Sequence, residues 1–227
     1  MRLELSEIIA CPSCGPPHVM VAVVAEANGP RVRSGFLGCP ACQSRFPIEE
    51  GVLRLADPQN SGDAETETEP VREPVEAMDA CPVDAEREAI LVAAVLGLGE
   101  GHGCVLLGPG LAPIAPEVAA IAGRWEVLSL VTASRFAADG PGNLSRVVVN
   151  ESEPLPVLRG RCAAAATTGD APGRFDGLSA GAFAAALSPL GRLAVVRPGP
   201  QSEEEVRSAG LRIVSVDPRV VLAAREA

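Results

Sequence analysis

The tightest constraint on this chain is a pair of short cysteine motifs, Cys11-Pro12-Ser13-Cys14 and Cys39-Pro40-Ala41-Cys42. Two residues between the cysteines let one tight turn aim both sulfurs at a single point. Two such turns complete a four-sulfur tetrahedron. Gly15 follows the first pair, where backbone amides turn towards sulfur. Cys11, Cys14, Cys39 and Cys42 are therefore the candidate metal ligands. Zinc is the expected ion, and iron is the alternative that also accepts four thiolates. Four protein ligands leave no open coordination position, so the metal is expected to be structural. The zone holding the motifs, residues 1–56, is too short for a sufficient apolar core, so the metal should supply much of its folding energy. The other three of the 7 cysteines, Cys81, Cys104 and Cys162, are scattered. An odd count, paired by twos at metal spacing, reads as a metal site in a reducing compartment rather than a disulfide framework.

Beyond this zone the chain changes character twice. Residues 57–79 are polar and acidic, with Glu65, Glu67, Glu69, Glu73, Glu76 and Asp79 interrupted by Pro70 and Pro74. Like charges repel and proline breaks helices, so this stretch reads as an extended linker. The resulting expectation is a small unit, residues 1–56, tethered to a larger one, residues 80–227, with the small unit packing either on its own larger unit or on another protein. The larger zone alternates helical and strand-like segments. Helices are expected over Asp84–Leu98, Pro116–Ala122, Ser179–Leu187 and Ser202–Ala209, the last with Ser202 as N-cap. Strands are expected over Cys104–Leu107, Glu126–Val131, Arg146–Val149, Cys162–Thr167, Arg192–Val196, Leu211–Val216 and Val220–Ala224. This alternation predicts an α/β domain with a mostly parallel sheet and helices on both faces.

Composition narrows the function. The 227 residues are 47% hydrophobic and 21% charged, enough apolar content for a packed core. Lys+Arg is 19 against 29 for Asp+Glu, a formal net charge of −10, which argues against a phosphate-backbone binder. No lysine occurs, so Schiff-base and phosphate-loop lysine chemistry are excluded. Tyrosine is absent and histidine numbers 2, which leaves few groups for proton transfer near neutral pH. His18, near the first cysteine pair, reads as an exposed loop residue. His102, before a strand, reads as a turn residue, with a general base at a strand-edge cleft as the alternative. No apolar run reaches the ~18 residues of a membrane span, and Met1-Arg2-Leu3-Glu4 does not open a secretory signal, so a cytoplasmic location is expected.

Two resemblances add to this reading. Leu5-Ser6-Glu7-Ile8-Ile9-Ala10-Cys11-Pro12-Ser13-Cys14, followed by Cys39-Pro40-Ala41-Cys42 and Phe46-Pro47-Ile48-Glu49-Glu50-Gly51-Val52-Leu53, resembles the zinc-ribbon methyltransferase-activator family (Trm one-twelve-like) over residues 2–56. Val52-Leu53 stands where that family prefers Ile-Pro. The resemblance implies a module that docks on a methyltransferase through an exposed apolar strand edge and does no chemistry itself. An unpaired strand edge suits such docking. Residues 80–227 resemble a degenerate class I S-adenosylmethionine-dependent methyltransferase-like, Rossmann-like domain. Val105-Leu106-Leu107-Gly108-Pro109-Gly110-Leu111-Ala112 stands where the family has an acid before a glycine-rich turn. Gly108 and Gly110 are the candidate cofactor-binding residues, and Leu106 occupies the position of the acid. The stretch Leu128-Ser129-Leu130-Val131-Thr132 lacks the ribose-holding carboxylate, leaving Ser129 or Thr132 to donate a hydrogen bond.

Two functions follow. The first is a non-catalytic zinc-binding scaffold or regulatory partner, built from the ribbon and a pseudo-methyltransferase domain that holds a protein partner, such as a methyltransferase or a larger complex. The second is a divergent methyltransferase with its activator ribbon fused in cis, using S-adenosylmethionine as cofactor. An RNA substrate would require the arginines Arg31, Arg33, Arg45 and Arg54, whose plain reading is a solvated face. The balance leans away from an enzyme. A redox or iron protein is the third and smallest possibility.

Overall fold

The computed structural model describes residues 1–56, 85–132, 140–150, 155–169 and 178–226. The acidic linker and Cys81 lie outside the described residues. A short 3-10 turn, Leu3–Glu7, opens the chain. The amino-terminal part then forms four strands, β1 (Val21–Asn28), β2 (Arg31–Gly38), β3 (Arg45–Glu49) and β4 (Val52–Arg54). Gly35 in β2 is required by space as well as by its φ of +147°. A Cβ there would lie 2.2 Å from the Val23 carbonyl oxygen.

The remainder alternates as expected. Helix α1 (Ala85–Leu96) precedes β5 (Gly103–Leu107), a 3-10 turn at Pro109–Ile114 and α2 (Ala115–Ala122). Strands β6 (Trp125–Val131), β7 (Leu144–Val148) and β8 (Cys162–Thr168) follow. Then come α3 (Ala180–Ala186), β9 (Leu187–Val196), α4 (Ser202–Ser208), β10 (Arg212–Asp217) and β11 (Val220–Ala224). Two local expectations are corrected. The Ser202 side chain does not cap α4; Gln201 is the N-cap, and Ser202 is already helical and buried. The Gly108-Pro109-Gly110 turn winds into the 3-10 segment, because Pro109 presets its first residue.

All eleven strands form one sheet, in the order β1-β2-β3-β4-β7-β6-β5-β8-β9-β11-β10. Neighbours from β4 through β7, β6, β5 and β8 to β9 are parallel, and both flanks are antiparallel. Strand order reverses between β5 and β8, which is the switch point of a doubly wound, Rossmann-like sheet. Alternation along each strand sends residues to two apolar layers. Val105, Leu107, Val127 and Ala164 pack with α1 and α2. Leu106, Leu128, Val147, Ala165 and Leu193 pack on the other face with Phe183 of α3 and Val206 of α4.

Strand pairing joins the amino-terminal strands to the α/β body. Val52, Leu53 and Arg54 of β4 pair in parallel with Arg146, Val147 and Val148 of β7. The Leu55 amide then donates to the Val148 carbonyl at 2.9 Å. Further back, the Leu158 amide donates to the Ile8 carbonyl at 2.8 Å, and the Ala10 amide donates to that of Pro156 at 3.1 Å. Leu5, Ile9, Leu37, Phe46, Ile48 and Leu53 share one buried cluster with Leu106, Leu130 and Val147. An acidic linker in sequence does not separate two units whose backbone donors and apolar faces satisfy each other.

Polar contacts close the same seam. The Arg31 guanidinium donates to the carbonyls of Pro141 and Leu144, each at 3.1 Å. Arg2 pairs with Glu126 at 2.8 Å, and the Arg2 amide donates to Ser145 Oγ at 3.0 Å. Burial pushes the Glu126 carboxyl above its usual range, and the neighbouring Arg2 offsets part of that. Leu53 is fully buried in the seam. Leu53→Ala is expected to cost about 2–5 kcal/mol in urea denaturation. The loss should appear in one transition shared by the amino-terminal strands and the α/β body. Two separate transitions would contradict the shared core.

Candidate functional site

The cysteine motifs converge. Cys11 and Cys14 lie on the turn after the first 3-10 segment, and Cys39 and Cys42 lie on the turn between β2 and β3. Their four sulfurs all lie within 4.8 Å of one another. Cys11 Sγ is 3.7 Å from Cys42 Sγ, and Cys39 Sγ is 3.9 Å from Cys14 Sγ. Metal–sulfur bonds of about 2.3 Å set the edges of a four-sulfur tetrahedron at about 3.8 Å, so the donor set fits a zinc-sized ion. The backbone holds the turns in place. The Gly15 amide donates to the Cys11 carbonyl and the Gln43 amide to the Cys39 carbonyl, each at 2.8 Å. Gly15 has a φ of +69°, which favours glycine there.

The four thiols are not equivalent. Cys42 Sγ lies 3.3 Å from Ser44 Oγ. The hydroxyl and the amide of Ser44 stabilise the Cys42 thiolate and bring its pKa down to about 6. The Cys14 thiol is pushed up to about 12, first by its contact with Cys42. Burial raises Cys11. Ligand thiols must lose protons to bind a cation, and Ser44 favours that loss at Cys42. Ser44 was not singled out by the sequence reading. Its position two residues after Cys42 is the signal that was available. His18 is exposed and stands outside the four-sulfur group.

Of Arg31, Arg33, Arg45 and Arg54, three make contacts within the chain, while Arg33 and Arg45 are exposed. Arg31 spans the seam, Arg54 pairs with Glu49 at 2.7 Å, and Arg45 lies over the Phe36 ring at 5.1 Å from its centroid. His102 is exposed just before β5. It therefore sits at the amino end of that strand, the opposite end from the switch-point crevice. The general-base alternative for His102 loses its geometric footing there.

The crevice begins where β5 gives way to Gly108. Gly108 has φ −66°, a conformation open to any residue. Its amide donates to the Ala166 carbonyl at 2.8 Å and is committed to β8. Gly110 is exposed in the turn. Leu106 is fully buried in the layer beneath α3. Ser129 is also fully buried, and its Oγ has no hydrogen-bond partner. Val131 closes a small apolar cluster with Ala112 and Val148, against which Val52 and Ala56 of the amino-terminal part pack. Thr132, just past β6, is exposed.

No protein-family model matches this chain. No curated protein matches it either. Among solved structures it is similar to the [4+2]-cyclase SpnF, with 20% identity and a TM-score of 0.47, over 57% of this chain and 58% of the cyclase. It is also similar to an S-adenosylmethionine-dependent O-methyltransferase from Thermotoga maritima, with 15% identity and a TM-score of 0.45, over 62% of this chain and 65% of that one. A third is geranyl diphosphate C-methyltransferase from Streptomyces coelicolor, with 14% identity and a TM-score of 0.44, over 61% of this chain and 75% of that one. The chain thus spans less than two thirds of the first two structures. The fold assignment rests on strand order: a methyltransferase-type, Rossmann-like sheet carrying a cysteine-clustered amino-terminal extension.

Ser44→Ala removes the hydroxyl that favours the Cys42 thiolate. Metal affinity measured against a chromophoric chelator is expected to fall about 10-fold or more. Unchanged affinity would show that Ser44 does not tune the cluster.

Proposed function

We propose that this chain is a non-catalytic scaffold in which a zinc-held ribbon, similar to the methyltransferase-activator family, is built into the edge of a pseudo-methyltransferase sheet. Cys11, Cys14, Cys39 and Cys42 would hold the zinc, whose role there is structural. One observation carries the reading. Where the resemblance expects carboxylates that grip a methyl donor, the switch point holds Leu106, sealed in an apolar layer, and the stretch 128–132, in which Ser129 is buried without a partner and Thr132 is exposed. Methyl transfer depends on fixing donor and acceptor together. A crevice without those acceptors has little with which to fix the donor.

The same reading makes β4 an internal docking element. Its edge is already paired with β7, so a protein partner, whether a methyltransferase or a larger complex, would have to meet another surface. Nucleic acid is a poor fit, given the net charge of −10 and the internal roles of Arg31 and Arg54. A thiolate ligand set suits a reducing, cytoplasmic compartment. The second reading, a divergent methyltransferase with its ribbon in cis, draws on the exposed Gly110 and Thr132 beside the switch point.

Calorimetric titration of the zinc-loaded chain with S-adenosylmethionine and S-adenosylhomocysteine separates the two. The scaffold reading expects no saturable heat up to millimolar ligand. Micromolar binding would overturn it in favour of the enzyme. Elemental analysis of the same sample is expected to give one zinc per chain, and iron would displace the zinc assignment. Removing the metal with a strong chelator, or introducing Cys39→Ser, should lower the thermal midpoint of the whole chain. The reason is that the ribbon shares its core with the sheet. A midpoint unchanged by metal removal would contradict the structural role of the ion.

A further inference from the structure

Cys104 and Cys162 take no part in the four-sulfur cluster. Cys104 lies at the start of β5, and Cys162 begins β8, its parallel neighbour. Strict alternation would turn Cys162 to the face of Ala164 and Ala166, away from Cys104. A register shift between Cys162 and Ala164 reverses this. Cys162 instead joins the layer of Leu106 and Phe183, against which Cys104 packs. The two sulfurs lie 4.0 Å apart.

Their place in the sheet matters as much as their distance. The β5–β8 ladder begins one step further on, at Val105 and Ala164. The thiols thus face each other at the amino rim, outside that ladder. Cys104 is a half-buried residue whose thiol is itself largely enclosed, whereas Cys162 is fully buried. Of the two, Cys104 is the nearer to solvent, so a reagent reaches it first, and slowly, and Cys162 reaches only Cys104.

We propose that Cys104 and Cys162 form a reversible dithiol–disulfide couple that exchanges with low-molecular-weight disulfides. The Cys104 thiolate attacks one sulfur of the small disulfide, breaking its S–S bond and expelling one thiolate. The Cys162 thiolate then attacks Cys104 Sγ, forming the internal bond and expelling the second thiolate. The chain loses two protons and two electrons, and the small disulfide becomes two thiols. The internal bond ties β5 to β8 and encloses β6 and β7, and with them the seam that holds β4. Burial, the Cys162 sulfur and Glu126 all hold the Cys104 thiol well above its usual pKa. Arg2 faces Glu126 across the seam. Exchange is accordingly slow at neutral pH and faster in mild alkali.

The test uses the full, zinc-loaded chain incubated with oxidised glutathione at about pH 8.5. Remaining thiols are then alkylated, and the chain is digested for mass spectrometry. The expected product is a peptide pair joined through Cys104 and Cys162, released by dithiothreitol and still formed in Cys81→Ser. Cys162→Ser should instead stop at a glutathione adduct on Cys104. The proposal fails if native chain gives no internal bond, if it stops at an adduct, or if Cys104 joins Cys81. Should Cys162→Ser not fold, the peptide map of the native chain decides the matter alone.

Discussion

The parallel ladder between β4 and β7 is the interaction on which the rest of the molecule depends. Three residue pairs are few for a stable association between independent bodies. Here they are reinforced by the Arg31 and Arg2 contacts and by a buried layer running from Leu5 to Val147 without interruption. An open edge at β7 would expose backbone donors and acceptors on a parallel strand that is buried on both faces, a template for unwanted pairing. Covering that edge with β4 satisfies the backbone groups and extends the core in one step. The order of the argument then inverts the one suggested by the linker. The ribbon is a flank of the sheet, held from within by four sulfurs.

This arrangement puts metal chemistry and sheet stability on one path. The cysteine turns fix the ends of β2 and β3, β3 pairs with β4, and β4 pairs with β7. Anything that loosens the sulfurs frees β4, and a freed β4 uncovers Val147 and Val149. The apolar cluster of Val131, Val148 and Ala112 also leans on Val52 and Ala56. The crevice at the switch point is thus walled partly by the ribbon, whatever that crevice accommodates.

The cysteine cluster was legible in the sequence because two-residue spacing encodes geometry directly, independently of the rest of the fold. The α/β alternation was legible for a similar local reason. Runs such as Val105-Leu106-Leu107 and Arg192 to Val196 carry strand character, and the helices between them carry apolar faces and stops. The union of the two parts was not legible. It is written in a register between residues about ninety positions apart, which no local pattern encodes. Glu49, Glu50 and Gly51 before β4 resemble a loop rather than the approach to a central contact. Ser202 shows a smaller failure of the same kind. Serine before three acids signals a cap, yet its burial against the loop at Gly169 draws it into the first turn instead.

The difference between a lost site and a different one lies in what replaced the polar groups. Random loss of an acid at the crevice would leave a polar or small residue open to water. Leu106 is instead fully packed in the layer beneath α3. Restoring a carboxylate there would bury a charge without a partner, at a cost of several kcal/mol. The packing that stabilises this sheet therefore works against the acid that would hold a methyl donor. Ser129 shows the residual tension, with a hydroxyl sealed between β5 and β7 and no partner for its oxygen. The apolar packing at Leu106 is on this argument a feature of the core itself.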